Sequence, residues 1–504
     1  MGNINRMKPE SKNRGDFLQT SLSAAAVMGA GAGPAVPAMS SATMPGLSPG
    51  MFPADFAWGA ATAAYQVEGA VTEDGRRPSI WDAFCQVPSR IDDGSSGAIA
   101  CDHYHRYESD VKLLAELGVK NYRFSLAWPR ILPEGRGVVN EKGLDFYKRL
   151  IDCLGVNGIT PYATLYHWDC PQTLEDEYGA WRSRRIADDF AEYAAVVGKH
   201  LGDRVKNWLT MNEIAAFTVS CGYNVGQRGE HAPGHALTRR KEQTNITHNA
   251  LLAHGRACQA LRASSPQPCR VAMAEVPTGY VPVIETPENI AAAKKAFRCD
   301  SVNGGILVPL LTGRYDPIWW EQLGAEVPDV LAGDMATIGQ PLDAVGVNCY
   351  TGTYVRAAEN KLGFEVIPMS GQYPQMQLSW LKLVPEGIYW VLRQSSELSG
   401  RPDLPLYVTE NGCAGEDVLT PGGEVHDLDR VLYYRAYLRQ VQRVIADGYP
   451  VKGYFPWSLM DNFEWARGYT KRFGLIYVDY PTQRRIPKLS YHWLREVIKA
   501  GRVL

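Results

Sequence analysis

Residues 104–126 read YHRYESDVKLLAELGVKNYRFSL. Val111, Leu114 and Leu117 recur at helical spacing, and Gly118 stops the run. A short turn later comes Tyr122-Arg123-Phe124-Ser125-Leu126, an aromatic-rich segment that predicts a strand. The same reading applied outward predicts further strands at 56–59, 161–165, 208–211, 271–276, 344–347, 406–408 and 453–455, eight in all. Helical patterns lie between most of them, for example at 184–200, 246–262 and 430–446. Repeated β-then-α units of this kind predict an α/β fold, a single (β/α)8 TIM barrel with long βα loops, over residues 51–504. A doubly wound sheet would carry a glycine-rich phosphate turn after its first strand, and Gly59-Ala60-Ala61 lacks that spacing. No low-complexity linker divides the region.

The chain has 504 residues, 45% hydrophobic and 21% charged, with a net charge of -2. It can therefore bury a large core. The near-neutral balance carries no electrostatic footprint for nucleic acid or an anionic membrane surface. Neither a nucleic-acid partner nor membrane insertion is expected. Ten cysteines at irregular spacings, with no Cys-x-x-Cys pair, read as buried free thiols. Asp102-His103-Tyr104-His105 has no second ligand cluster at metal spacing and reads as a structural turn. Neither a metal nor a cofactor is expected.

The amino terminus is different. Arg6, Lys8, Lys12 and Arg14 precede a weakly apolar stretch from Phe17 to Ala32, then Pro34-Ala35-Val36-Pro37-Ala38, a small-residue cleavage site. This is the order of an export signal over residues 1–38, with 39–50 as a linker. Gln19, Thr20, Ser21 and Ser23 make the stretch too polar for a transmembrane anchor. Asn13-Arg14-Gly15-Asp16-Phe17-Leu18 resembles a twin-arginine signal with Gly15 in the place of the second arginine. The expected location is periplasmic or secreted. The alternative is a cytoplasmic protein with a disordered Ala/Gly/Ser/Pro tail. Asn245-Ile246-Thr247 fits a glycosylation sequon, but behind a bacterial-type signal it is expected to stay unmodified.

Active-site groups of such barrels sit at the C-terminal ends of the strands. Polar and aromatic residues there are Gln66 after strand 1, Arg123 in strand 2, His167-Trp168 after strand 3 and Asn212-Glu213 after strand 4. Asn348 and Tyr350 follow strand 6, Glu410-Asn411 ends strand 7, and Trp457, Glu464 and Trp465 follow strand 8. Any one of these reads equally well as a satisfied hydrogen bond at the barrel mouth. Two glutamates ending two different strands, beside aromatic platforms, fit cleavage of an acetal. That reaction needs a proton on the leaving oxygen and a carboxylate to meet the cationic carbon. Sugar hydroxyls suit Gln, His, Asn and Glu, and the apolar face of a sugar ring suits Trp. No Ser-His-Asp set or phosphate loop stands among them.

From these residues the chain resembles glycoside hydrolase family one, the β-glucosidase family, over residues 52–498. Gly59 to Gly69 (GAATAAYQVEG), Tyr122 to Trp128 (YRFSLAW), Leu165 to Asp169 (LYHWD), Leu406 to Gly412 (LYVTENG) and Gly453 to Tyr480 carry the resemblance. It implies a retaining β-glucosidase that hydrolyses terminal non-reducing β-D-glucosyl residues by double displacement. In that scheme Glu410 is the nucleophile and Glu213 the acid, then the base. The nucleophile must be charged, which Arg123 and Tyr350 would favour, while Glu213 must hold a proton at rest. The resemblance assigns Gln66, His167, Asn212, Glu464 and Trp465 to the glycone hydroxyls and Trp457 to the stacking floor. Trp168, Asn348, Tyr350 and Phe473 join the substrate-binding set. A β-glucoside or short β-linked oligosaccharide is the implied substrate, and polysaccharide breakdown, including that of cellulose, the implied setting.

Two departures stand out. The acid/base motif of the family usually ends Asn-Glu-Pro and here reads Asn212-Glu213-Ile214, without the fixed φ of proline. Cys349 stands where the family often has an aromatic, and strand alternation turns it away from the face of Asn348 and Tyr350. A 6-phospho-glycosidase would need cations in the last loop, where Glu464 would repel a phosphate. A non-catalytic sugar-binding module would be expected to lack one carboxylate. A transglycosidase would share every residue named and differ in loops such as 224–242 and 358–380.

Overall fold

The computed structural model describes residues 50–504. The export signal expected at 1–38 lies outside the described residues, as does the linker up to residue 49. Eight parallel strands close into a barrel: β1 (Ala57–Ala61), β2 (Asn121–Ser125), β3 (Thr160–Tyr166), β4 (Asn207–Asn212), β5 (Arg270–Glu275), β6 (Ala344–Asn348), β7 (Leu406–Asn411) and β8 (Val451–Pro456). Each strand pairs with its neighbours in chain order, and β8 returns to β1. The expected barrel and all its expected strands are present, with boundaries moved by at most three residues.

Eight main helices surround the barrel: α1 (His103–Leu117), α2 (Glu141–Val156), α3 (Ile186–Leu201), α4 (Arg240–Ser264), α5 (Pro287–Cys299), α6 (Glu386–Ser399), α7 (Leu428–Ala446) and α8 (Leu489–Ala500). In α2 the residues Leu144, Tyr147, Leu150, Ile151 and Leu154 form one buried stripe at helical spacing. Gly118 closes α1 at φ 88°, a conformation a side chain resists. Helix α4 begins at Arg240, ahead of the apolar pattern that starts at Ile246. Its first turn is polar and is held instead by the Glu242 carboxylate, which accepts the Arg239 N–H at 3.1 Å.

The long loops have structure of their own. Tyr280–Pro282, Thr353–Ala357 and Phe364–Val366 form a separate three-stranded sheet, and Tyr223–Val225 pairs with His235–Leu237. All ten cysteines are free, six of them buried. Asp102 precedes α1 with its carboxylate on His105 and Arg106, so this segment is the start of a helix. No helix among the described residues is long and apolar enough to cross a membrane.

The barrel interior is not filled by bulky branched residues, as such interiors commonly are. Aromatic Tyr162, Tyr407 and Phe455 pack there together with small Ala57, Ala272, Ala344 and Gly346, and between them they leave a cavity of about 530 Å³. It extends from Asp55 and Arg270 at the N-terminal rim to Arg123 and Thr409 beneath the C-terminal mouth.

Candidate active site

The expected residues converge at that mouth. Ladder irregularities fall between Val408 and Glu410 on β7 and between Leu209 and Asn212 on β4, below both expected carboxylate positions. Such bulges re-aim side chains at a barrel rim. Arg123 lies at the centre. One Nη1 hydrogen points at Glu410 Oε1 at 2.6 Å and Nη2 donates to Asn212 Oδ1 at 2.6 Å. Asn348 Nδ2 donates to the same Asn212 oxygen at 3.0 Å and to Glu213 Oε1 at 2.9 Å. Tyr350 O–H donates to Glu410 Oε2 at 2.7 Å. One continuous hydrogen-bond chain therefore joins the two glutamates through Arg123, Asn212 and Asn348.

The same chain sets a tautomer. The Asn212 amide oxygen is committed to Arg123 and Asn348, so its Nδ2 faces His167 Nε2 at 3.2 Å. His167 Nε2 accepts, and the ring proton sits on Nδ1. Burial, then the charge of Arg123, holds this imidazole well below its ordinary pKa, so it is neutral. Its Nδ1–H is buried and makes no hydrogen bond within the protein. Gln66 presents the complement. Its Nε2 donates to Asn462 Oδ1 at 3.0 Å and to the Phe463 carbonyl at 2.9 Å, and its buried Oε1 has no protein donor. One open donor and one open acceptor suit a hydroxyl, which both donates and accepts.

The aromatic wall is continuous. The His167 ring stacks near Trp457 (5.6 Å) and Trp465 (5.9 Å), and Trp168 lies 4.6 Å from Trp465. Trp168 is fixed by its own N–H, which donates to the Asn212 carbonyl at 2.9 Å. Phe473 packs edge-on against Tyr350 at 6.3 Å. Trp168 (φ 77°), Glu213 (φ 46°) and Trp465 (φ 50°) all hold left-handed backbone, which costs a non-glycine residue about 1–3 kcal/mol. Such strain clusters at functional sites because the surrounding structure over-determines it.

The loop carrying Trp457 to Trp465 is pinned from below. Asp461 accepts from Lys488 Nζ and Arg472 Nη1, each at 2.6 Å, and from the Gly474 N–H at 3.0 Å. Lys488 also reaches Asp417 at 2.6 Å, which in turn binds Arg430. Gly412 admits the Trp457 carbonyl, since a Cβ there would lie 1.8 Å from it.

Opposing influences meet at the Glu410 carboxyl. Arg123 and Tyr350 do favour the charged form of Glu410, as the residue types predict. Burial outweighs them and the charge of Glu213 adds to it, so the carboxyl is raised to about 7. Cys349 is buried, its thiol pushed up to about 12 by desolvation, and its S–H lies 3.5 Å from the Thr351 carbonyl. The packing role expected of it fits this position.

Three neighbours were not anticipated. Trp81 lies 4.7 Å from Trp465, and His231 lies 5.4 Å from Trp168; neither ends a barrel strand, so the strand-end rule is blind to them. The third is Glu275, the last residue of β5 and 1% exposed. The strand-end rule applied to strand 5 points at it directly.

Comparison with known proteins agrees with this geometry. Residues 48–502 match the profile of Glycosyl hydrolase family 1. The chain is 42% identical over 452 residues to β-glucosidase A of Thermotoga maritima, covering 89% of this chain and 98% of that protein. It is 44% identical to thermostable β-glucosidase B of Thermobispora bispora over 89% of this chain and 90% of that one. The solved β-glucosidase of Thermotoga maritima in complex with glucoimidazole superposes with a TM-score of 0.79 at 41% identity, over 90% of this chain and 99% of that one. On these grounds the chain belongs to glycosyl hydrolase family 1.

Proposed function

We propose that the protein is a retaining β-glucosidase that removes terminal non-reducing β-D-glucosyl residues. The observation that carries this reading is the hydrogen-bond chain from Glu410 through Arg123, Asn212 and Asn348 to Glu213, with one open donor and one open acceptor beside it. Glu410 attacks the anomeric carbon as Glu213 gives its proton to the leaving oxygen, and a covalent glycosyl-enzyme forms. Glu213 then takes a proton from water, whose oxygen displaces Glu410 and restores the β configuration. Arg123 and Tyr350 hold the Glu410 carboxylate as charge moves onto and off it. His167 Nδ1–H and Gln66 Oε1 receive glycone hydroxyls, Asn212 and Asn348 orient both partners, and Trp457, Trp465 and Trp168 wall the ring, with Phe473 supporting Tyr350. Glu464 completes the glycone end.

Short β-1,4-linked glucans are the proposed natural substrates, since relatives include a 1,4-beta-D-glucan glucohydrolase of Thermotoga neapolitana. The basic-then-apolar order of residues 1–38 supports export to the periplasm or beyond. A phosphorylated sugar is disfavoured because Glu464 in the last loop would repel its phosphate, and Arg467 and Arg472 there are already paired with Asp92, Glu230 and Asp461. The test is a panel of chromogenic β-glycosides with cellobiose, followed by proton NMR of the first sugar released. β-Glucose appearing first, with glucosides preferred, is expected. First release of the α-anomer, or a preference for 6-phospho-β-glucoside, overturns the reading.

A further inference from the structure

Glu275 is a carboxyl that the double-displacement scheme does not use, and it sits against the turn that carries Glu213. Buried carboxyls are rare without a cationic partner, and each one calls for an explanation. Here the partners are backbone N–H groups. Oε1 accepts the Val276 N–H at 2.8 Å and Oε2 accepts the Ala215 N–H at 3.4 Å. The Ile214 N–H also points at this carboxyl. Burial, with the charge of Glu213 adding, raises its pKa to about 8.

The local chain explains why such an acceptor is needed. Glu213 holds a left-handed φ of 46°, which neither its side chain nor its neighbours favour by themselves. Its N–H is fixed to the Ala274 carbonyl at 2.8 Å, one residue before Glu275. Beyond it the backbone turns at once into a helical segment, whose first N–H groups have no intrahelical acceptor. A proline at 214 would bring no N–H and a fixed φ. Ile214 brings an N–H and a free φ, and Glu275 restrains the turn there by accepting the N–H of Ala215, the next residue.

We propose that Glu275 is a positioning residue for the acid/base: it clamps the backbone at Ile214 and Ala215 so that the Glu213 carboxyl is aimed at the leaving-group oxygen. This rests on Glu213 being the acid, and the experiment separates the two claims. In full-length protein, kcat/KM is measured for phenyl and 2,4-dinitrophenyl β-glucoside with wild type, Glu275→Gln, Glu275→Leu and Glu213→Gln. The dinitrophenolate leaves without a proton, so only the phenyl substrate reads the aim of the acid. Glu275→Leu is expected to lower kcat/KM for the phenyl glucoside at least tenfold and that for the dinitrophenyl glucoside less than twofold. Glu275→Gln, whose amide oxygen still accepts an N–H, is expected to recover a large part of the loss. Equal losses on both substrates mean general damage and overturn the proposal, as does no loss on either. If Glu275→Leu does not fold, Glu275→Gln decides by the same split, a loss of at least threefold confined to the phenyl substrate being expected. If Glu213→Gln itself shows no leaving-group split, the acid/base assignment falls. If Glu213→Gln shows it and the Glu275 variants do not, only the clamp falls.

Discussion

Arg123 and Glu410 meet at 2.6 Å in a buried pair, one from β2 and one from the end of β7. The other arm of the same guanidinium holds Asn212, next to Glu213. One side chain thus braces the proposed nucleophile and the residue beside the proposed acid, so damage to it is expected to reach both steps of the proposed reaction.

Glu410→Gln should abolish turnover, because an amide is a poor nucleophile. Activity on 2,4-dinitrophenyl β-glucoside should fall by three orders of magnitude or more, on the scale of lost covalent catalysis. Glu213→Gln should behave differently, with azide restoring turnover of activated substrates and giving a β-glucosyl azide. Product analysis by NMR checks this, and loss of both variants alike without azide rescue would contradict separate roles.

Tyr350→Phe should move the acid limb of the kcat/KM profile to higher pH. The Tyr350 O–H donates to the charged form of Glu410, so removing it raises a carboxyl that burial already lifts to about 7. One hydrogen bond to a charged group is worth about 1.5–3 kcal/mol, which bounds the shift at about one to two pH units. Activity lost in the variant at pH 6 should return as the pH rises. A limb that stays in place or moves down speaks against this pairing.

Glu464→Ala should lower kcat as well as affinity for β-glucosides, by about 2–4 kcal/mol in kcat/KM, because charge-assisted bonds to the glycone tighten as the ring flattens. Relative activity on 6-phospho-β-glucoside should rise in the same variant, since a repelling charge is gone. Comparing β-glucoside, β-galactoside and the phosphorylated sugar on both proteins checks it.

Lys488→Met should destabilise the protein strongly. Lys488 is fully buried between Asp417 and Asp461 at 2.6 Å each, and its loss takes one cation from both carboxylates, leaving Asp417 to Arg430 and Asp461 to Arg472. Removing one partner of a buried pair costs about 3–5 kcal/mol where the other charge is left uncompensated, which is the upper bound here because each carboxylate keeps an arginine. Because Asp461 also anchors the Trp457–Trp465 loop, KM should rise along with a faster rate of thermal inactivation. Unchanged inactivation would mean that the network carries little of the loop.

The barrel was legible in the sequence because its parallel strands are buried on both faces and read as short apolar runs, while its helices keep a 3.6-residue stripe. Glu213 and Glu410 were legible for a related reason: one polar residue at the end of such a run reads as a barrel-mouth hydrogen bond, but two glutamates ending two different strands beside aromatic platforms point to chemistry. The sequence alone therefore determined the fold class, the pair of carboxylates and the family resemblance. Tertiary structure decided the rest. Trp81, on the short helix Ile80–Cys85, and His231, on a loop, reach the site from segments remote in sequence, which no periodicity links. The proton of His167 was set by a chain of donors, Arg123, Asn348 and Asn212, from three different strands. The net rise of Glu410 came from burial, a sum over every group that excludes water, and it reversed the sign that Arg123 and Tyr350 alone would give. Local pattern reports which residues face a core; only the assembled core decides how much water is left around a charge.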